Sequence, residues 1–283
     1  MDKKPEWLKV RCNIGAVKEI MELMQQLNLN TVCSEANCPN IGECFGRHTA
    51  TFMLLGSACT RNCRFCNVKC APPEPVDPEE PEHVAQAAKK LGLKHVVLTC
   101  VTRDDLPDGG AAQFAQTVEA VRRLCPGVTV ETLISDMQMN TAALDTVLDA
   151  SPEVLNHNVE TVRELQRAVR PQADYERSIS VLRYCKQKRP DIFVKTGFMV
   201  GLGETDAQVD CLMNDLLSAG CDILTISQYL QPSAAHYPVA RYATPDDFAR
   251  YKALALDKGF RYVVSAPLAR SSYRAREALH DLY

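Results

Sequence analysis

No stretch of this 283-residue chain stays apolar for the roughly 18 residues that a bilayer span needs, which excludes a helical membrane protein. Charge of one sign is scarce too. With 32 basic against 35 acidic residues, the net charge is −3, so nothing electrostatic points to nucleic acid. Internal repeats and low-complexity tracts are absent, which removes solenoids and disordered arrays. The segment Met1 to Trp7 lacks the apolar core of a signal peptide, and a soluble cytoplasmic protein is the expectation.

What the chain does have is cysteine: 13 residues, an odd number. A disulfide scaffold suits small exported domains, and this chain is neither small nor visibly exported, so close-spaced thiols read as metal or cluster ligands. Cys33, Cys38 and Cys44 form one triplet; Cys59, Cys63 and Cys66 form a second with the spacing C-x3-C-x2-C. Three thiolates at that spacing suit three irons of a cubane and leave the fourth iron open to a ligand. Zinc is the alternative for three close cysteines, and it would need a fourth ligand. The remaining seven, Cys12, Cys70, Cys100, Cys125, Cys185, Cys211 and Cys221, are scattered and read mainly as small hydrophobes.

Around the cysteines the chain alternates between strand and helix patterns. Apolar runs at Thr51–Gly56, His95–Thr99, Val128–Ile134, Val154–His157, Ile192–Val200 and Asp222–Gln228 have strand character. A stripe of Val17, Ile20, Met21 and Met24 suggests an early helix, and Phe114, Val118, Val121 and Leu124 share one face of another. Thr205 caps a third helix carrying Val209, Leu212, Met213, Leu216 and Leu217. Thr244-Pro245-Asp246-Asp247 starts a fourth, with a capping Thr, Pro at the first helical position and acids in the first turn. Pro72 to Pro81 reads as a stiff acidic spacer. Six strand–helix units predict parallel strands with right-handed crossovers. A partial, open (β/α)6 barrel is preferred, with an open doubly wound sheet as the alternative. Either architecture puts ligands at the carboxyl ends of the strands, where the second triplet follows the first strand.

The second triplet resembles the cluster motif of radical S-adenosylmethionine (SAM) enzymes, and its surroundings resemble the lipoyl synthase family over nearly the whole chain. The resemblance is carried by Thr31–Cys44 (C-x4-C-x5-C), Thr49–Gly56, Cys59–Val68, Thr102–Gly110, Asn156-His-Asn-Val-Glu160 and Val169–Tyr175. It continues through Lys195–Glu204, Gln228–Ser233 and Arg270-Ser-Ser-Tyr273. The chain departs from the family pattern at Arg47-His48, Ser57-Ala58, Thr102 and Ala266, none of them an expected cluster ligand.

The resemblance implies a radical SAM partial barrel over residues 51–230, an N-terminal extension over 1–50 with auxiliary-cluster cysteines, and a C-terminal extension over 231–283. Two [4Fe–4S] clusters and S-adenosyl-L-methionine are the implied cofactors. Cys59, Cys63 and Cys66 would hold the cluster that cleaves the cofactor. Cys33, Cys38, Cys44 and Ser271 would hold the auxiliary cluster that donates sulfur, with Ser272 as the alternative serine. An alkoxide is a harder and less usual partner for cluster iron than thiolate, which would let that iron leave. Phe65 would pack near the adenine, Asn158 and Glu160 would meet ribose or methionine groups, and Lys195 and Gly201 would lie near the cofactor. Asn158 and Glu160 also suit a plain helix cap, His157 a core histidine, and Arg103, Asp104 and Asp105 a solvated surface pair. The activity implied is insertion of two sulfurs at C6 and C8 of an octanoyl-lysine on a lipoyl carrier domain, a dehydrogenase E2 subunit or a glycine-cleavage H protein. Flavodoxin or ferredoxin would supply electrons and an iron–sulfur carrier would rebuild the donor cluster. Neither nucleic acid nor membrane is expected as a partner.

Overall fold

Short runs of β-branched and leucine side chains separated by capped amphipathic helices leave the chain one economical arrangement: strands side by side, helices outside. The computed structural model describes residues 5–8, 21–31, 40, 49–273 and 275–282. In chain order these form β1 (Asn30–Thr31), β2 (Thr49–Leu54), β3 (Ala58–Cys59), β4 (Lys69–Cys70), α1 (Glu80–Lys90) and β5 (His95–Cys100). Then come α2 (Ala111–Leu124), β6 (Thr129–Leu133), α3 (Thr141–Asp149), β7 (Val154–Asn156), α4 (Gln166–Val169) and α5 (Tyr175–Lys188). β8 (Phe193–Val200), α6 (Asp206–Ser218), β9 (Ile223–Gln228), α7 (Pro245–Lys258), β10 (Tyr262–Ala266) and α8 (Ala275–Leu282) complete the order.

One sheet runs β1-β2-β5-β6-β7-β8-β9-β10, parallel throughout except for the antiparallel β1 at one edge. Among the described residues its edge strands β1 and β10 do not pair with each other, so the barrel is open, as expected. Strand parity separates its two faces. Phe52, Leu54, Val96, Leu98 and Val130 pack into the core shared with α1 and α2. Met53, Thr99 and Leu133, register neighbours on β2, β5 and β6, line an interior cavity, as do Met199 and Ser227 on β8 and β9. Below the cavity, Ala278 and Leu279 of α8 pack on Val154, Phe193 and Ile223, so the C-terminal helix plugs the amino ends of β7, β8 and β9.

Several expectations shift. The first strand begins at Thr49 and ends at Leu54, because Leu55 (φ 69°) and Gly56 (φ 89°) turn through the left-handed region. Pro72–Pro81 is not solvated spacer at its end: Glu80 is buried, and its two carboxylate oxygens accept the Leu55 N–H at 3.1 Å. Gln113 Nε2 donates to the same carboxylate at 2.8 Å. Of the early helical stripe, Val17 and Ile20 lie outside the described residues; Met24 is buried and Met21 is exposed. The caps at Thr205 and Thr244 form as read, each accepting from the third backbone N–H of its helix. β10 was not anticipated; it extends the sheet on β9 from beyond residue 230. Among the described residues, no helix is long and apolar enough to cross a membrane.

Candidate active site

The loop after β2 is fixed by bonds to distant parts of the chain. Thr60 N and Oγ1 both donate to Thr102 O, at 3.0 and 2.9 Å, and Arg64 N donates to Val169 O at 2.8 Å. Arg61, 4% exposed, carries the strongest tie. It forks onto Asp104 (Nε 2.6 Å, Nη2 2.8 Å) and onto Asp136 (Nη1 2.9 Å, Nη2 2.6 Å). Burial alone would raise the Asp136 carboxyl, but the Arg61 hydrogen bonds and charge hold it well below the usual carboxylate range. On the opposite side, Tyr237 N donates to Arg64 O at 2.8 Å and His236 Nε2 meets Cys66 O at 3.0 Å.

This scaffold turns Cys59, Cys63 and Cys66, all free thiols, toward a cavity of about 360 Å³. Arg61 N and Val68 N each donate to a thiol sulfur, Cys59 Sγ and Cys66 Sγ, both at 3.4 Å. Burial pushes the Cys66 thiol up to about 12 and raises Cys63 against the opposing charge of Arg170. A bound metal must therefore displace the protons. Among the described residues no three His, Cys, Asp or Glu converge to hold a single ion. Three thiols lining one cavity, with backbone donors on the sulfurs of Cys59 and Cys66, are a donor set that suits three corners of a cluster.

Facing them is the end of β7. Glu160 has φ 73°, a left-handed backbone that costs about 1–3 kcal/mol for a non-glycine residue. A bridge to Phe198 holds that backbone, with Glu160 N on Gly197 O at 3.0 Å and Met199 N on Glu160 O at 2.9 Å. Strain held in place by a neighbouring strand marks a position where the side chain's direction matters. Burial raises the Glu160 carboxyl, opposed by Arg170 and by a hydrogen bond from Asn158. The Asn158 Oδ1 atom is buried without a partner, and an added Cβ on Gly197 would come within 3.0 Å of it. His157 Nδ1 meets Ile134 O at 3.0 Å, and burial with the nearby Arg170 lowers its pKa to about 4. The ring is neutral, lines the cavity and leaves Nε2 unpartnered.

Cys59, Cys63, Cys66, Phe65, Asn158, Glu160 and Ser271 thus share one cavity, with Ser272 beside them. Cys33, Cys38 and Cys44 lie outside the described residues. Asn40 is described: it is buried, lines the cavity and donates to Leu268 O at 2.6 Å. Lys195 and Gly201 are not among the lining residues. Lys195 is buried, with its ammonium on Glu131. Gly201 (φ 96°) packs so tightly that a Cβ would stand 2.4 Å from Arg241 O. Of the expected solvated group, Asp104 and Asp105 are exposed, but Arg103 is buried. Arg103 is 3% exposed, bonded to Asp105 and to Leu55 O, while Asp104 belongs to Arg61. Sequence reasoning assigned no role to Arg61, Arg170 or Asn40; the one available signal was their position inside cysteine- or proline-bearing motifs.

Comparisons with known proteins agree with this geometry. A model of the Radical SAM superfamily matches residues 53–216. A lipoyl synthase of Caldanaerobacter subterraneus subsp. tengcongensis is 54% identical over 273 residues, covering 96% of each chain. One of Rubrobacter xylanophilus is 54% identical over 279 residues, covering 98% of this chain and 87% of that one. Among solved structures, the FeFe-hydrogenase maturase HydG of Carboxydothermus hydrogenoformans superposes with a TM-score of 0.61 over 94% of this chain and 69% of its own. At 15% identity that likeness is one of fold. Identity above half along almost the entire length, on a radical SAM barrel, means that the chain belongs to the lipoyl synthase family of the radical SAM superfamily.

Proposed function

We propose that this chain inserts two sulfur atoms, at C6 and C8, into an octanoyl chain amide-linked to a lysine of a lipoyl carrier domain. A single observation carries the reading. The Cys59–Cys63–Cys66 wall, Asn158, Glu160 and the C-terminal Ser271 line the same cavity. A radical precursor and a sulfur source must both reach one substrate carbon, and one shared cavity permits it.

Cys59, Cys63 and Cys66 are the residues to hold the first [4Fe–4S] cluster, and Cys33, Cys38, Cys44 and Ser271 the auxiliary one. When bound, the first cluster and S-adenosylmethionine supply a 5′-deoxyadenosyl radical, and the auxiliary cluster supplies the sulfur. The protein's own part is binding and exclusion of water. Asn158 brings an unpartnered amide oxygen, and Glu160 a carboxylate suited to ribose hydroxyls or a methionine ammonium. Phe65 lines the cavity and packs on the cluster of Val169, Leu202 and Tyr229, where a flat apolar ring suits adenine. Met53, Leu133 and Met199 give the cavity an apolar wall for a saturated hydrocarbon. Electrons come from flavodoxin or ferredoxin, and the auxiliary cluster is rebuilt by an iron–sulfur carrier; the carrier domain is an E2 subunit or an H protein.

The test separates the two triplets. Protein reconstituted without oxygen is given S-adenosylmethionine, a strong reductant and an octanoyl-lysine peptide. Replacing Cys59, Cys63 or Cys66 by alanine is expected to abolish 5′-deoxyadenosine formation. Replacing Cys33, Cys38 or Cys44 is expected to spare that cleavage and abolish sulfur transfer; thiolated peptide from a Cys38→Ala protein would contradict the reading.

A further inference from the structure

Below the cavity, strand parity brings four polar residues into the barrel interior: His95, Glu131, Asn156 and Lys195, each 2% exposed or less. Such a layer is costly unless every charge is matched. Lys195 matches its charge on Glu131, donating to Oε1 at 2.9 Å and Oε2 at 3.0 Å. Asn156 Nδ2 also donates to Glu131, at 2.8 Å. An ammonium has three N–H donors, and the third is directed to the backbone carbonyl of Ser271, 76 residues further along the chain. The hydroxyl of the same serine accepts from Asn158 Nδ2 at 2.7 Å. Ser271 is therefore held at its carbonyl and at its hydroxyl by side chains on the barrel. Other ties on the same loop include Tyr273 N on Arg270 O at 2.8 Å, Gln228 N on Pro267 O at 3.3 Å and Asn40 on Leu268 O.

Burial of Lys195 is matched mainly by Glu131, which takes two of its three donors. The third reaches instead to the one loop that carries the expected alkoxide ligand. We propose that Lys195 is a positioning residue: held on Glu131, it pins the Ser271 carbonyl, and Lys195 and Asn158 together set the Ser271 hydroxyl at the cavity wall. The inference rests on the reading of Ser271 as an auxiliary-cluster ligand. It adds a function for a residue that touches neither the cavity nor a cluster thiol. A serine anchored through its backbone carbonyl would keep its place whether or not its oxygen ligates iron. Asn158 is at once a wall of the cofactor pocket and a donor to Ser271, so the two ends of the cavity share one side chain.

Lys195→Met alone would strand the buried Glu131 charge, so the variant to make is the neutral pair Lys195→Met with Glu131→Gln. The otherwise wild-type protein, this double variant and Ser271→Ala, each with alanine at Cys59, Cys63 and Cys66 so that no open-iron cluster contributes a signal, are reconstituted with the auxiliary cluster and mildly oxidised. Each is then examined by electron paramagnetic resonance and Mössbauer spectroscopy for loss of one iron from the auxiliary cluster. Circular dichroism confirms a folded barrel, and Lys195→Gln with Glu131→Gln is the substitute pair if the first does not fold. The expected result is a three-iron signal in both Ser271→Ala and the double variant, and its absence in the otherwise wild-type protein. A three-iron signal in Ser271→Ala with an intact cubane in the double variant overturns the role of Lys195. An intact cubane in Ser271→Ala overturns the ligand reading itself.

Discussion

Replacing Arg61 by methionine keeps an unbranched apolar stem, loses the guanidinium and with it removes four charge-assisted hydrogen bonds, two to Asp104 and two to Asp136. Asp136 has a fully buried side chain, so the substitution leaves a charge inside the protein with less compensation. Removing one partner of such a pair costs about 3–5 kcal/mol. Arg177 Nε still reaches Asp136 at 3.0 Å, which puts the expected loss near the lower bound, about 3 kcal/mol. Asp104 is 29% exposed, so Asp104→Asn should cost about 1 kcal/mol or less. Urea unfolding of the cluster-free protein, followed by circular dichroism, measures both. The pH dependence has a definite sign. Asp136 has a depressed pKa when folded, so its pairing stabilises the protein above the unfolded carboxyl pKa of about 3.9 and fades as pH falls through the folded value. The gap between wild type and Arg61→Met should thus be full at neutral pH and narrow below about pH 4. Arg61 lies between Cys59 and Cys63, the residues proposed to hold the first cluster, so the variant should also retain less iron after desalting. A loss under about 1 kcal/mol at neutral pH, with unchanged iron, would refute the argument that this fork anchors the cysteine loop.

Gly201→Ala should lower stability by at least about 2 kcal/mol, since φ 96° and contacts of 2.2 Å to Gln228 Nε2 and 2.4 Å to Arg241 O leave no room for a methyl group. Thermal unfolding reads this, and an unchanged midpoint would show that the strand end relaxes freely. Asn158→Ala and Glu160→Gln should each weaken S-adenosylmethionine binding by about tenfold, ~1.4 kcal/mol, in equilibrium dialysis with first-cluster iron unchanged. Unaltered binding in both would remove them from the cofactor site. Thr244→Ala should cost about 1 kcal/mol in urea unfolding through loss of the α7 cap, and a neutral result would mean that Asp247 and Pro245 start the helix unaided.

Much of the barrel is legible in the chain because its strands are continuous apolar runs, buried on both faces, and its helices begin at strong caps such as Thr244-Pro245. Tyr262–Ala266 escaped because five residues with a serine among them make a weak strand signal until β9 offers an edge. Cluster chemistry is legible for a similar reason: three thiols within eight residues are a local pattern, independent of the fold around them. What holds that loop is not local. Arg61 meets partners 43 and 75 positions away, and Asn40 meets one 228 positions away, distances at which no periodicity carries information. Lys195 shows the limit most clearly. Parity turns its side chain into the barrel, yet whether the carboxylate it meets belongs to a cofactor or to Glu131 depends on its depth along the barrel axis, which register alone decides.

The central claim is that sulfur comes from the protein's own cluster in the cavity where the radical forms. Protein reconstituted with heavy-isotope sulfide, freed of unbound sulfide and given octanoyl-lysine peptide, S-adenosylmethionine and reductant tests it by mass spectrometry. The account requires peptide that gains two heavy sulfurs and sheds two hydrogens once the product closes to its disulfide. Light sulfur in that product, or unthiolated peptide alongside full cofactor cleavage by wild-type protein, would contradict it.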